Sequence, residues 1–133
     1  MASTTYILCP GQGAQHVGMG RDFAEKFPEA KAVYDRANEV LGFDLAKLCF
    51  EGPDDRLNQT DISQPAIYVT SIACHAAAKA AGKLGSAPYT YAGLSLGEYT
   101  ALHLAGVFNF EDGLKLVAAR GRACLLYTSP SPR

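Results

Sequence analysis

No two cysteines of this chain stand close enough to form a C-x-x-C pair; Cys9, Cys49, Cys74 and Cys124 are scattered singly. That leaves a metal site or a redox dithiol a weak reading. Thiols in a reducing cytosol fit better than a disulfide framework. An excess of charge of one sign is missing too, since 12 Lys+Arg against 13 Asp+Glu leave a net charge of −1. Such a field is too weak to hold nucleic acid or a membrane surface. No run approaches the ~18 apolar residues of a spanning helix, and "MASTTYILCP" lacks the length and basic start of a signal peptide. No internal repeat is visible. What remains is a chain of 133 residues, 48% apolar and 19% charged, with the composition of an ordinary soluble, cytoplasmic domain.

Local pattern divides the chain into short elements. "YILC" (Tyr6–Cys9) is a β-prone apolar run that ends in the glycine-rich "PGQGAQHVGMG", the pattern of a buried strand entering a tight loop. Phe23, Phe27, Ala30, Tyr34, Ala37 and Leu41 recur at steps of three and four, which predicts a helix face. Pro28 splits that helix and Gly42 closes it. After short helical turns interrupted at Gly52–Pro53, Ser63 is the expected N-cap of a long alanine-rich helix ending at Gly82. "PYTYAG" (Pro88–Gly93) is the second strand, followed by a helix from Ser95 to about Gly106. A last helix has Asn109 as its N-cap and Asp112 in its first turn. From residue 124 onward, "CLLYTSPSPR" is expected to be an irregular tail, because its prolines and serines cannot continue a helix.

Gly93-Leu94-Ser95-Leu96-Gly97 matches G-x-S-x-G. A sharp strand-to-helix turn leaves no room for side chains at the flanking glycines and pushes the serine hydroxyl out above the strand end. The helix N-terminus behind it favours developing negative charge, and the Leu96 N–H is placed to donate to an oxyanion. The structural alternative is a serine N-cap at a tight turn. A serine nucleophile also needs a base. His103 lies roughly 12 Å along the same helix from Ser95, His75 sits among alanines in mid-helix, and His16 reads as a surface histidine of the glycine-rich loop. None is a convincing partner.

Four blocks, "PGQGAQHVGMG" (10–20), "SQPAIY" (63–68), "AGLSLGEYTAL" (92–102) and "LVAARG" (116–121), stand in the order and spacing of malonyl-CoA:acyl carrier protein transacylases. The chain resembles the N-terminal portion of that family over residues 5 to 123. The resemblance implies an α/β fold: the first part of a hydrolase-like large subdomain, helix-rich, with about two parallel strands. It also implies transfer of malonyl from malonyl-CoA to the phosphopantetheine thiol of acyl carrier protein, in fatty acid biosynthesis, and only the resemblance implies that no metal or redox cofactor is needed. Ser95 would be the nucleophile, Gln12 and Leu96 the backbone donors of the oxyanion hole, and Arg120 the residue that holds the malonyl carboxylate. Gln64 would be a polar residue near the pocket. Leu94 departs from relatives with histidine at that position. From spacing alone Arg120 is a solvated surface arginine, and only the resemblance gives it a role. The family's catalytic histidine lies beyond residue 133, so the 133 residues alone are expected to be inactive. A serine esterase using the same elbow and a non-catalytic fragment are the alternatives.

Overall fold

The computed structural model describes residues 4–128. Strand β1 (Thr5–Cys9) runs into the glycine-rich loop, and helices α1 (Arg21–Lys26), α2 (Pro28–Leu41), α3 (Leu45–Glu51), α4 (Asp54–Leu57) and α5 (Thr60–Ala80) form the crossover to strand β2 (Tyr89–Gly93). Helices α6 (Leu96–Leu104) and α7 (Phe110–Thr128) follow. The strands pair in parallel, Thr5 opposite Tyr89 through Cys9 opposite Gly93. Both strands therefore leave the sheet at the same end, and the glycine-rich loop and Ser95 emerge side by side. The helix-rich α/β architecture with two parallel strands is the one expected from the sequence.

Local chemistry sets many of the element ends. Phe27 adopts an extended conformation before Pro28, which opens α2 at its first position, where the missing N–H costs nothing. Gly42 closes α2 at φ 77°, a left-handed conformation that glycine adopts without strain. Asp44 Oδ1 caps α3 by accepting from the Lys47 N–H at 2.9 Å. At α7, Asn109 Oδ1 accepts from the Asp112 N–H at 2.8 Å and Asn109 Nδ2 donates back to Asp112 Oδ2 at 3.1 Å.

Three expectations are corrected. Strand β1 is not buried throughout: its side chains alternate between two faces, and Tyr6 and Leu8 lie exposed on one of them. The long helix starts at Thr60, not after Ser63, and the Ser63 side chain is buried rather than capping. Pro65 falls in the second turn, where its ring removes the bond an N–H would make to the Asp61 carbonyl. Asp61 in the first turn, paired with Arg56 at 3.2 Å, suits the positive end of the helix dipole. The irregular tail is also shorter than expected. Helix α7 continues through Cys124 to Thr128, since "CLLYT" contains no helix breaker and the first proline comes only at Pro130. Residues 129–133 of the expected tail lie outside the described residues.

Helix α5 is the centre of the core and packs chiefly against α7 and α2. Its Ala66, Ala73 and Ala77 are fully buried, as are Ala30 and Ala37 of α2, so small side chains let the helix axes approach closely. Tyr68 and Val69 of α5, Leu114 and Val117 of α7, and Leu96 of α6 fill the space between. Tyr34 of α2, 1% exposed, donates from its hydroxyl to the Met19 carbonyl at 3.3 Å and meets Thr70 Oγ1 of α5 at 2.7 Å. Removing that hydroxyl leaves the buried Met19 carbonyl and the half-buried Thr70 hydroxyl short of a partner. Tyr34→Phe is therefore expected to destabilise the fold by about 1–2 kcal/mol. Urea unfolding checks this through a lowered midpoint at unchanged slope.

Candidate active site

Ser95 stands at the junction of β2 and α6 with φ 57° and ψ −118°. Among the described residues it is the one non-glycine residue with positive φ, a conformation costing of order 1–3 kcal/mol for a residue with a side chain. The packing around it holds the turn in place. A Cβ on Gly93 would run into the Gly97 backbone, and a Cβ on Gly97 would run into the Cys9 carbonyl. Both glycines are thus needed for close approach of backbones, the first within the elbow and the second between α6 and β1. Leu96 anchors the other side: its side chain is fully buried, worth about 1.5–3 kcal/mol. As the first residue of α6, its N–H has no carbonyl of the helix to meet.

The glycine-rich loop is tied down from the opposite direction. Gln12 Nε2 donates to Thr60 Oγ1 at 3.3 Å, and Gln15 Nε2 donates to Asn58 Oδ1 at 2.8 Å. These bonds fasten the loop to the start of α5. On its other side Gly11 lies so near the Leu94 carbonyl that a Cβ would come within 3.1 Å. The backbone around Gln12 accordingly borders the Ser95 turn.

Arg120 enters from α7. The buried stripe of that helix is Leu114, Val117, Ala118 and Gly121, and Arg120 lies at its margin, half-buried. Gly121 packs against the Thr60 carbonyl, where a Cβ would sit 2.8 Å away, so α7 is drawn onto the end of α5 that carries Gln64. Arg120 Nη1 donates to Gln64 Oε1 at 2.6 Å, and Nη2 donates to Ser95 Oγ at 3.0 Å. Gln64 is 1% exposed. The guanidinium also lies over the Tyr99 ring, 5.4 Å from its centroid. Three helices thus meet in one chain of contacts from Gln64 through Arg120 to the exposed Ser95 hydroxyl.

Of the residues singled out from sequence, Ser95, Gln64 and Arg120 are directly bonded, while Gln12 and Leu96 flank them through backbone. Thr60 and Tyr99 were not singled out. Tyr99 follows Ser95 by four residues and so shares its helix face, a signal present in the sequence. Thr60 left none. The histidines are occupied elsewhere: His103 Nδ1 donates to the Phe108 carbonyl at 3.0 Å, His16 Nδ1 to the Val17 carbonyl at 3.2 Å, and His75 stands 3.4 Å from the Tyr91 hydroxyl. Burial pushes the Cys9 and Cys74 thiols up and takes Cys49 to about 12, which keeps all three protonated and poor nucleophiles. Among the described residues no cluster could hold a metal ion and no helix is long and apolar enough to cross a membrane.

A strained serine on a strand-to-helix elbow, with a glycine-rich loop against it, defines a class: α/β proteins of nucleophile-elbow architecture. Residues 5–131 match the model of the acyl transferase domain, and the chain belongs to that family. It is 50% identical over 115 residues to a polyketide biosynthesis protein of Burkholderia thailandensis, covering 86% of this chain and 10% of that one. It is 43% identical over 116 residues to the malonyl CoA-acyl carrier protein transacylase of Escherichia coli K12, covering 87% of this chain and 37% of the relative. The crystal structure of the Clostridium perfringens malonyl CoA-acyl carrier protein transacylase superposes with a TM-score of 0.82 at 46% identity, over 91% of this chain and 37% of that one. The chain therefore spans little more than a third of the length of these two transacylases.

Proposed function

We propose that residues 5–123 form the part of a malonyl transacylase that carries the nucleophile and the carboxylate-binding arginine. In this reading Ser95 Oγ attacks the thioester carbonyl of malonyl-CoA, the C–S bond breaks, and coenzyme A leaves as its thiol. The phosphopantetheine thiol of acyl carrier protein then attacks the malonyl-serine ester and restores the hydroxyl. The Leu96 and Gln12 backbone N–H groups would donate to the tetrahedral oxyanion. The reaction is placed in the cytoplasm, in keeping with the thiols of Cys9, Cys49 and Cys74.

The observation that carries this reading is the 3.0 Å contact between Arg120 Nη2 and Ser95 Oγ. A cation this close to the nucleophile suits an acyl group whose own carboxylate lies one methylene beyond the carbonyl under attack. A guanidinium offers five N–H donors; two are engaged with Gln64 and Ser95, and the others are available for a carboxylate.

The test is to splice residues 5–123 into the Escherichia coli relative in place of its matching segment and expose the product to malonyl-CoA. A malonyl adduct should appear by mass spectrometry on the peptide containing Ser95, and it should disappear when acyl carrier protein is added. Ser95→Ala is the control. In the 133-residue chain alone, Ser95 faces a guanidinium, which cannot accept its proton. General base assistance typically contributes about 10²–10⁴-fold, so no transfer is expected there. An adduct on another residue of the spliced enzyme would refute the assignment of Ser95.

A further inference from the structure

Tyr99 is half-buried on α6, one helical turn beyond Ser95, and packs against the hydrophobic core. Its ring lies beneath the Arg120 guanidinium, with the guanidinium carbon 5.4 Å from the ring centroid. The same guanidinium meets Gln64 Oε1 and Ser95 Oγ through its two terminal nitrogens. Those two bonds fix positions along one edge of a planar group. They do not by themselves stop the group from swinging about that edge into solvent. An aromatic face against it does, because the negative potential above the ring attracts the cation and its flat surface matches the guanidinium. Helix α6 thus presents a nucleophile and, four residues later, a platform for the cation beside it.

We infer that Tyr99 is a positioning residue for recognition of the acyl carboxylate: its ring holds the Arg120 guanidinium where a carboxylate attached to a Ser95-bound acyl group can be met. This rests on the malonyl reading given above. An aliphatic residue could fill the volume of Tyr99 in the core, but it has no electron-rich face to hold the guanidinium. A ring at this position therefore favours short acyl groups ending in a carboxylate over neutral ones, through Arg120 and without touching substrate.

The experiment uses the Escherichia coli relative spliced with residues 5–123, with malonate as the probe, followed through the Arg120 Nε–H resonance by NMR. Tyr99→Phe keeps the ring, and it is expected to hold the malonate dissociation constant and the guanidinium rotation rate within about twofold of the parent. Pentafluorophenylalanine at position 99 has nearly the same shape and an electron-poor face. It should weaken malonate roughly three- to fivefold and speed the rotation by a similar factor. Because the two rings fill the same space, a purely structural role would leave both readings unchanged. Equal affinity and equal rotation for the two rings would overturn the assignment of Tyr99. A rotation rate that follows the ring series in a chain that malonate does not shift would support the platform and overturn the malonyl reading instead.

Discussion

Arg120→Ala is expected to lower malonyl loading of Ser95 by about 2–5 kcal/mol, the usual cost of removing one partner of a close charge pair, while acetyl loading stays level or rises. At 1.4 kcal/mol per tenfold, that is roughly thirty-fold to several thousand-fold in rate. The asymmetry follows from what each acyl group brings. A malonyl carboxylate beside an alanine methyl has left water without a counter-charge. An acetyl group has no carboxylate to lose a partner, and it no longer shares the site with an exposed cation. Arg120 also donates to Gln64, so its removal leaves a buried amide oxygen without that donor, at a cost common to both substrates. The ratio of kcat/KM for malonyl-CoA and acetyl-CoA, measured in the spliced transacylase, separates the two effects. A fall of equal size for both would show that Arg120 only supports the fold.

Gly97→Ala should be strongly destabilising. The added methyl would meet the Cys9 carbonyl of β1 and approach the Pro10 carbonyl, 3.1 Å from its Cβ. Both obstacles are backbone, so no side-chain rotation relieves them. Helix α6 would have to lift from β1, taking the Leu96 anchor and the Ser95 turn with it. A loss of at least about 3 kcal/mol is expected, the upper end of the range for overpacking. Leu94→Ala is the control: Leu94 is 84% exposed, and its truncation should change stability by no more than about 0.5 kcal/mol. Chemical denaturation of both variants decides the matter, and a Gly97→Ala chain within about 0.5 kcal/mol of the parent, the size of an ordinary surface change, would rule out the close approach.

Some features were legible in the sequence because their causes are local. Gly42 at a helix end, Pro28 at a helix start, Asn109 as the N-cap of the last helix, and the two short strands that run into glycine-containing turns are each decided within a few residues. So is the elbow, whose flanking glycines and central serine already imply a turn too tight for side chains. The start of α5 at Thr60 rather than at Ser63 is not legible locally, because its surroundings are distant in sequence. Thr60 meets Gln12 from the first loop, and its carbonyl is packed by Gly121 from the last helix.

The remainder belongs to tertiary structure. Arg120 stands 25 residues from Ser95 and 56 from Gln64, and on helical spacing alone it is a solvated surface arginine. Only when small residues let α7 settle onto α5, and Gly97 lets α6 settle onto β1, do a guanidinium, an amide oxygen, a hydroxyl and the Tyr99 ring come within contact of one another. Signals along a helix reach three or four residues. A site assembled from three helices exists only once the core has brought those helices together, so sequence determined the elements and the elbow, and packing decided what faces the serine.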